Sequence, residues 1–414
     1  MARSTTFTYN VTVVNPGSGN KFYMDGILQT YVTLFPGCTY EFNQDDSSNA
    51  THPLRFATQV DAANSSEYTT GVTTTGTPGS ATAWTKIEVT TSTPYRLFFY
   101  CTAHNGMGNS ITVPQGIATR AFTGGSYPGL TNTIESVDLT TTGNCFDFGN
   151  MSATKYATGA IGGTIKGLLF GGSPDGGSTL LNTIDQIAVK TLGNSTDFGD
   201  LVTGTNYPVG LGNKTRGVYG GGYISPGQVN NIGYVTIAEM GNATDFGDLT
   251  VARNQFAGFA SPTRGVWAGG EVPSGQSNVL DYVTIGSTGN ATDFGDLASA
   301  TGGTAGTSSS TRGVVAGGGT PSKINVIQYV TIASTSNTTD FGDLTVAKSN
   351  MTLNGSNSTI GIFGGGQTPS LTLTIDSITF ASTGNGQDFG DMINSSNAGG
   401  YGQCGNSNGH GGLQ

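Results

Sequence analysis

The residues with the clearest capacity for chemistry lie in a short segment, Cys101-x-x-His104-x-x-Met107, and at one upstream position, His52. A thiolate, two imidazoles and a thioether are the ligands of a mononuclear blue-copper centre, in which two His and one Cys surround the metal and Met binds weakly along the axis. A tight turn after a strand would bring Cys101, His104 and Met107 to one point, and the end of a neighbouring strand would supply His52. The sequence therefore predicts a copper site formed by His52, Cys101, His104 and Met107.

The elements that must position these ligands are strands. Apolar and polar residues alternate with the two-residue period of half-buried strands in four segments, which Gly, Pro, Asn and Ser separate. We expect a β-sandwich over residues 1–114, with its boundary at Pro114-Gln115-Gly116. The four segments are residues 7–14, 39–42, 86–89 and 95–100.

The pattern of residues 39–42, His52-Pro53-Leu54, 76–79 and Cys101-x-x-His104-x-x-Met107-Gly108 resembles that of a cupredoxin domain. The resemblance implies that His52, Cys101, His104 and Met107 are copper ligands. Only two residues separate His104 from Met107, fewer than in plastocyanin, so Met107 departs most from the family pattern. The alternative is that the fold serves as a scaffold without metal.

One eight-residue phrase, Gly-Asn-x-x-Asp-Phe-Gly-Asp with small variations, occurs six times. The copies are residues 143–150, 193–200, 241–248, 289–296, 336–343 and 384–391. Their first aspartates are spaced by 50, 48, 48, 47 and 48 residues, and Gly-Gly pairs recur with the same spacing. Periods near 50 residues are typical of kelch propeller blades, whereas helical repeats are usually shorter.

Each repeat contains four predicted strands. One repeat combines a small-residue strand (255–261), a strand ending in glycines (265–270), an alternating strand (280–285) and the Asp-Phe-Gly-Asp strand (293–296). This order is similar to that of kelch repeats, with Phe in place of the usual Trp. The resemblance implies an all-β protein, in which a cupredoxin-like β-sandwich precedes a six-bladed kelch-like β-propeller over residues 115–414.

The two ends of the repeat array predict how the propeller closes. The first repeat begins at its glycine strand and lacks a small-residue strand, while the tail after residue 391 contains a surplus one at residues 398–402. A C-terminal strand that completes the first blade would remove two open sheet edges, which favour aggregation. We therefore expect six blades closed by the C-terminal strand. An open or longer array is the alternative.

Enzyme activity is not expected. The repeat region contains a single histidine, His410, and no recurring cluster of Asp, Glu and Arg outside the repeat pattern. It therefore lacks the acid–base groups that a propeller hydrolase or copper oxidase needs. Aspartate pairs such as Asp245 and Asp248 are weak candidates for calcium ligands, because no third oxygen cluster accompanies them.

Composition limits the partners. Charged residues make up 10% of the chain, against roughly 25% in ordinary soluble proteins, and the net charge is −10. Since no cluster of Lys and Arg could neutralise a run of phosphates, we expect no nucleic-acid binding. No stretch approaches 18 apolar residues, and Met1 leads directly into a strand without the apolar core of a signal peptide. We expect neither membrane insertion nor Sec export.

Four cysteines are too few for a disulfide framework. Cys101 belongs to the predicted metal site, and Cys38 is expected to pack in the sandwich. Closure by the C-terminus would bring Cys145 and Cys404 into the first blade. Either a disulfide or two free thiols is compatible with the sequence there.

The pairing of a cupredoxin-like domain with Asp-Phe-Gly-Asp repeats is similar to predicted structural proteins of marine bacteriophages, especially cyanophages. The resemblance implies a virion surface protein, either a tail-fibre or receptor-binding protein or a capsid decoration, that assembles in the host cytoplasm and is oligomeric in the particle. Its N-terminal domain would dock on other virion proteins, and its propeller would face a host receptor or glycan. Two alternatives stay open: a copper protein that transfers electrons or sequesters metal, and an extracellular adhesin or filament subunit.

Overall fold

The computed structural model is all-β, as the sequence predicts. Among the residues that it describes there is no α-helix, and three short 3₁₀ helices span Ser47–Asn49, Val60–Ser65 and Gly411–Leu413. The chain divides into two compact units, Met1–Ala118 and Thr119–Gln414. The described residues are 5–413 except for 29–30, 35–37, 91–92, 95, 114–118, 126–128, 192, 320, 394–405 and 408, so the predicted junction at residues 114–116 lies outside them.

The described residues of the first unit form ten strands in two sheets. One sheet has the strand order β3-β2-β1-β5-β8-β7 and the other has the order β4-β10-β9-β6. The strands are β1 (Thr5–Val14), β2 (Lys21–Met24), β3 (Ile27–Leu28), β4 (Tyr31–Thr33), β5 (Cys38–Asn43), β6 (Leu54–Ala57), β7 (Val72–Thr75), β8 (Trp84–Glu88), β9 (Arg96–Cys101) and β10 (Asn109–Thr112). The pairs β1–β5 and β4–β10 are parallel, and the other pairs are antiparallel.

Side chains from both sheets of the first unit fill one hydrophobic cluster. Phe42 on β5 and Phe56 on β6 meet edge to face there, with ring centroids 5.4 Å apart. The alternating pattern along the strands places every second side chain in this cluster. Cys101 and Met107 also belong to it, so the residues that flank the predicted metal loop are anchored in the core.

The second unit, as far as it is described, contains six four-stranded antiparallel sheets, each built largely from one repeat. We number them sheet 1 to sheet 6. Sheet 1 contains β11 (Arg120–Gly124), β12 (Thr131–Asp138) and β13 (Phe146–Lys155). Sheet 2 contains β14 (Gly159–Gly162), β15 (Lys166–Phe170), β16 (Thr183–Ala188) and β17 (Thr196–Asp200). Sheet 3 begins with β18 (Val209–Gly212) and β19 (Arg216–Gly220), continues after the hairpin β20 (Tyr223–Ile224) and β21 (Gly227–Gln228), and ends with β22 (Asn231–Thr236) and β23 (Thr244–Asp248).

The remaining sheets repeat this arrangement. Sheet 4 has β24 (Ala257–Ala260), β25 (Arg264–Ala268), the hairpin β26 (Glu271–Val272) and β27 (Gly275–Gln276), β28 (Val279–Thr284) and β29 (Thr292–Asp296). Sheet 5 has β30 (Ala305–Ser308), β31 (Arg312–Ala316), β32 (Val326–Thr331) and β33 (Thr339–Asp343). Sheet 6 has β34 (Leu353–Ser356), β35 (Ile360–Gly364), β36 (Thr374–Thr379) and β37 (Gln387–Asp391). The four-strand unit read from the sequence is therefore confirmed.

The C-terminal part of the chain supplies the fourth strand of sheet 1. Strand β38 (Asn406–Ser407) pairs antiparallel with β11, with Ser407 opposite Ala121 and Asn406 opposite Phe122. The segment predicted to do this, residues 398–402, lies outside the described residues. The hydroxyl of Ser407 donates to the carbonyl of Ser356 at 2.7 Å, which ties the strand to sheet 6 as well.

The first strands of successive sheets contact one another in a closed cycle. Strand β14 contacts β18, β18 contacts β24, β24 contacts β30, and β30 contacts β34. The cycle is completed because β34 contacts both β11 and β38, and β38 contacts β14. Small residues make this approach feasible: a Cβ at Gly210 would lie 2.1 Å from the carbonyl oxygen of Ala160, and one at Gly306 2.7 Å from that of Gly258.

The repeated phrase joins neighbouring sheets at their other edge. In each copy the Asn side chain accepts a hydrogen bond from the backbone amide of the last residue of the preceding copy, at 3.0–3.1 Å. The six bonds run from Asn150 to Asn194, Asp200 to Asn242, Asp248 to Asn290, Asp296 to Asn337, Asp343 to Asn385 and Asp391 to Asn144. The outer strand of each sheet is therefore not a free edge.

Buried ion pairs involve residues of alternate sheets. In sheet 4 the guanidinium of Arg253 lies 2.7 Å from the carboxylate of Asp281, and both side chains are fully buried. Sheet 6 has the same arrangement, and Asp185 of sheet 2 pairs in the same way with Lys155, the last residue of β13 in sheet 1. Sheets 3 and 5 lack it and hold uncharged residues at both positions. The pairs are Lys155–Asp185, Arg253–Asp281 and Lys348–Asp376, and the uncharged equivalents are Thr205 with Gly233 and Thr301 with Gln328.

Candidate metal centre

Strand pairing brings Cys101 close to the segment that carries His52. Cys101 is the last residue of β9 and lies opposite Leu54, the first residue of β6. The amide of Thr102 continues the pairing by donating to the carbonyl of Pro53 at 3.1 Å. Because His52 precedes Leu54 by two residues, the register places its imidazole beside the Cys101 side chain.

A short capped turn holds His52. Asp46 caps the 3₁₀ helix Ser47–Asn49 by accepting a hydrogen bond of 2.9 Å from the amide of Ser48. The amide of His52 then donates to the carbonyl of Asn49 at 2.8 Å. From the other side, the buried amide of Gln44 donates to the carbonyl of His52 at 2.9 Å. The backbone of His52 is therefore fixed at both its amide and its carbonyl.

The loop after Cys101 depends on two glycines. Gly106 has a φ of +73°, its amide donates to Asp61 Oδ2 at 2.9 Å, and its carbonyl accepts from the Lys21 ammonium group. At Gly108 a Cβ would lie 1.7 Å from the carbonyl oxygen of Phe99, so no other residue fits without movement of the backbone. These contacts hold the loop against β9 with His104 at its near end.

The three strongest ligands converge. Cys101 Sγ lies 3.8 Å from Nδ1 of His52 and 3.7 Å from Nδ1 of His104. With metal–sulfur and metal–nitrogen bonds of about 2.3 and 2.0 Å, ligands arranged trigonally around one ion would be separated by about 3.7 Å. The ligand atoms of all three residues lie within 4.8 Å of one another, so the cluster could hold a metal ion.

The site lies at the surface of the first unit, with one ligand on the solvent side. The side chains of Cys101 and His52 are only 1% and 8% exposed, whereas His104 is exposed. Burial, and secondly the charge of His104, lower the pKa of His52. His52 is therefore neutral at neutral pH, and its lone pair is available to a metal without prior loss of a proton.

Met107, the fourth predicted ligand, is buried and packs in the hydrophobic cluster together with Cys101. Its carbonyl accepts a hydrogen bond of 3.0 Å from the amide of Phe22, which connects the loop to β2. The structure thus brings His52, Cys101 and His104 together, and the axial role of Met107 stays a prediction.

Asn20 is a neighbour of the site that the sequence did not reveal. Its side-chain amide lies 3.5 Å from Nε2 of His52. The atom that faces the ring is Nδ2, which donates to Nε2; rotation of the amide by 180° would let its oxygen accept the Nε2 proton instead and leave the Nδ1 lone pair for a metal. Asn20 lies in a turn before β2, and no local pattern connects it with His52.

No other metal site is found in the described ranges, because the group of His52, Cys101 and His104 is the one cluster of at least three His, Cys, Asp or Glu that could hold an ion there. Cys145 is a buried free thiol, and burial raises its pKa, so it is inert at neutral pH. Cys404 lies outside the described residues. Of the two alternatives for Cys145 and Cys404, the described residue, Cys145, is a free thiol.

A comparison of the chain with protein-family models and with curated proteins finds no match. Within the described ranges, no helix has the length and apolar character needed to cross a bilayer.

Proposed function

We propose that the first unit is a cupredoxin-like domain and that the second is a six-bladed kelch-like propeller closed by the C-terminal strand. The first proposal is supported by the two-sheet core and by the ligands at the end of β9. The second is supported by the closed cycle of contacts between β14, β18, β24, β30, β34 and β38. In a propeller, the loops between sheets form two rigid rims that suit recognition of a partner.

We further propose that the protein is a structural component of a bacteriophage virion surface, such as a tail fibre, receptor-binding protein or capsid decoration. The observation that carries this proposal is the complete set of six Asn-to-amide bonds, which makes each sheet support the next. Such a ring can display its loops with little movement, and the 10% content of charged residues in the chain leaves a sparsely charged, hydrogen-bonding surface. The N-terminal domain would attach it to other virion proteins.

Purified particles test this proposal. An antibody raised against the full chain should label intact virions in electron micrographs, and the protein should sediment with them through a density gradient. Recovery of the protein only from the soluble fraction of the host would contradict the proposal. Labelling confined to the host cell surface would favour the adhesin or filament alternative.

Copper binding is a second proposed function, and the convergence of Cys101 Sγ with two imidazole Nδ1 atoms favours it. Thiolate and imidazole together suit copper, whereas Mg²⁺ and Ca²⁺ prefer oxygen ligands. Bound copper would supply one-electron chemistry or would be stored. His52, Cys101 and His104 would hold it, while the contacts of Gln44 and Gly106 keep their backbone in place.

Titration with Cu(II) tests the metal site. We expect an intense blue thiolate-to-copper absorption band that disappears in Cys101→Ser and persists in the control Cys38→Ser. Cys38 is a suitable control because it begins β5, whereas the opposite end of β5 leads to Gln44, which contacts His52. If Met107 binds along the axis, Met107→Leu should shift the band without abolishing it. A wild-type protein that gives no band would remove copper from the proposal.

A further inference from the structure

In sheets 3, 4 and 5 an Arg side chain stacks on a Tyr ring, and we call the face of each sheet that carries this position its outer face. In sheet 4, Arg264 lies opposite Thr284 in the strand register, and its guanidinium lies 4.3 Å from the ring centroid of Tyr282. Arg264 also donates to the carbonyl of Ile332 in sheet 5 at 2.9 Å. Sheets 3 and 5 have the same pair at the same register. The pairs are Arg216–Tyr234, Arg264–Tyr282 and Arg312–Tyr329.

Sheet 6 departs from this pattern at both positions. Ile360 lies opposite Thr379, as Arg264 lies opposite Thr284, and Ser377 occupies the place of Tyr282. A third change accompanies these two. In sheet 6 Gln387 lies opposite Ser377, whereas in sheet 4 Thr292 lies opposite Tyr282. Two bulky side chains are thus replaced by small ones, while a longer amide is introduced beside them.

The result is a hollow of about 300 Å³ on the outer face of sheet 6. This volume is at the lower end of the range of small-molecule sites, about 300–1,000 Å³. Hydroxyl and amide groups form most of its wall, and none of the described residues that line it is charged. The polar lining residues are Ser377, Thr379, Ser382, Thr383, Asn385 and Gln387.

The wall of the hollow is held in place by sheet 5. The amide of Gly384 donates to the carbonyl of Phe341 at 2.8 Å, and the amide of Gly386 donates to the carbonyl of Asp343 at 2.7 Å. Asn385 Oδ1 in turn accepts from the amide of Asp343 at 3.1 Å. The segment is therefore preorganised, which lowers the entropic cost of binding a ligand.

The chemistry of the lining selects the class of ligand. Hydroxyl and carboxamide groups both donate and accept hydrogen bonds, and so do the hydroxyls of a sugar. Ile360, which is partly exposed, adds apolar surface that suits the C–H face of a pyranose ring, while Phe341 and Ile378 are buried behind the wall. A carboxylated or sulfated sugar would find no cation among these residues, and the chain carries a net charge of −10.

We propose that the hollow of sheet 6 binds a neutral saccharide. The inference deepens, and rests on, the proposed role of the second unit as a receptor-binding surface. It assigns recognition to the one sheet of the six that lacks both members of the Arg–Tyr pair. Sheets 1 and 2 lack the Tyr but keep a cation, Arg120 or Lys166, at the Arg position.

Saturation-transfer NMR on the full chain tests this site. The probes are the methyl glycosides of glucose, galactose, mannose and N-acetylglucosamine, with N-acetylneuraminic acid as the charged comparison. We expect saturation transfer to at least one neutral probe and none to the charged one. Transfer to none of the neutral probes, or to the charged probe alone, would overturn the proposal.

Two sets of variants locate the binding. Ile360→Arg with Ser377→Tyr copies the pair of sheet 4 into sheet 6 and should weaken binding at least tenfold by filling the hollow. Gln387→Thr copies the residue of sheets 2 to 5 and should also weaken binding, without adding bulk. The control, Arg264→Ile with Tyr282→Ser, alters sheet 4 and should leave the sheet 6 affinity unchanged.

Unchanged binding by the filled variant would overturn the assignment to sheet 6. Thermal unfolding of each variant establishes that it is folded, and Gln387→Thr keeps the test decisive if the double variant is unstable. Antibody labelling of particles is independent of saccharide binding. Failure of the saccharide site therefore leaves the virion proposal standing. Failure of the labelling would remove the virion proposal and with it the receptor role of the hollow, but not the measured saccharide binding.

Discussion

The backbone amide of Asp391 donates a 3.0 Å hydrogen bond to Oδ1 of Asn144, across 247 residues of sequence. Asp391 ends the last copy of the repeated phrase, and Asn144 is the second residue of the first copy. The bond therefore joins sheet 6 to sheet 1 in the same way as the other five bonds join their neighbours. Sheets 6 and 1 are thus joined at two places, through β38, which contacts β34, and through this bond.

The equivalence of these bonds predicts that the closing one stabilises the protein as much as an internal one. Asn144→Ala and Asn290→Ala each remove one acceptor, and each should lower the free energy of unfolding by about 1 kcal/mol. Urea unfolding, monitored by fluorescence, measures both. A negligible effect of Asn144→Ala beside a clear effect of Asn290→Ala would indicate that sheets 1 and 6 are not joined in solution.

The glycine before the last residue of each phrase is expected to be essential for the close approach of two sheets. Gly295 has a φ of +145°, and a Cβ there would lie 2.3 Å from the carbonyl oxygen of Ser336 in the next copy. Gly289 has a similar φ of +155° but nothing within 4 Å. Gly295→Ala should therefore destabilise the protein by at least about 2 kcal/mol more than Gly289→Ala. Equal midpoints of urea unfolding would refute the steric explanation.

The strands were predictable because their determinants are local. Alternation along residues 280–285 and the glycines that end β25 depend on neighbours in sequence, and the observed bounds of β28, Val279–Thr284, agree closely. The role of the phrase was not predictable in the same way. Asn290 accepts from Asp248, which is 42 residues away, and a single repeat contains no sign of that partner.

The candidate metal ligands also combine local and distant determinants. Cys101 and His104 are three residues apart on one turn, whereas β6, the strand that follows His52, is not among the four alternating segments of the sequence. The contacts that orient them come from distant parts of the chain, as with Asn20 beside His52 and Asp61 beside Gly106. Such partners depend on tertiary packing, so sequence spacing does not reveal them.

The buried ion pairs predict a strong dependence of each partner on the other. Lys348 Nζ lies 2.7 Å from Asp376 Oδ2, and neither side chain is exposed. Lys348→Met should cost about 3–5 kcal/mol in the free energy of unfolding, since it leaves a buried carboxylate uncompensated. Lys348→Thr with Asp376→Gln copies the uncharged pair Thr301 and Gln328 of sheet 5, and it should recover most of that loss. A double variant as unstable as the single one would show that the charges themselves are required.

His410 predicts a dependence of stability on pH. The imidazole is buried, its Nε2 lies 3.0 Å from the carbonyl of Gly162 and donates to it, and its Nδ1 accepts from the amide of Gly412 at 3.2 Å. Both nitrogens are thus used by the neutral ring, and a proton on Nδ1 would oppose the Gly412 amide. Burial lowers the pKa of His410 to about 4, despite the favourable hydrogen bond to Gly162.

Because the pKa of His410 in the folded protein lies below its ordinary value of about 6.5, the unfolded chain takes up the proton first as the pH falls. The contribution of His410 is therefore complete above about pH 7 and is lost between about pH 6.5 and 4, with a slope of up to about 1.4 kcal/mol per pH unit. Urea unfolding of the wild type and of His410→Gln across this range measures the effect. Carboxylates titrate in both proteins and cancel in the difference, so the wild type should lose stability more steeply than the variant. Parallel curves would mean that the pKa of His410 in the folded protein is not lowered.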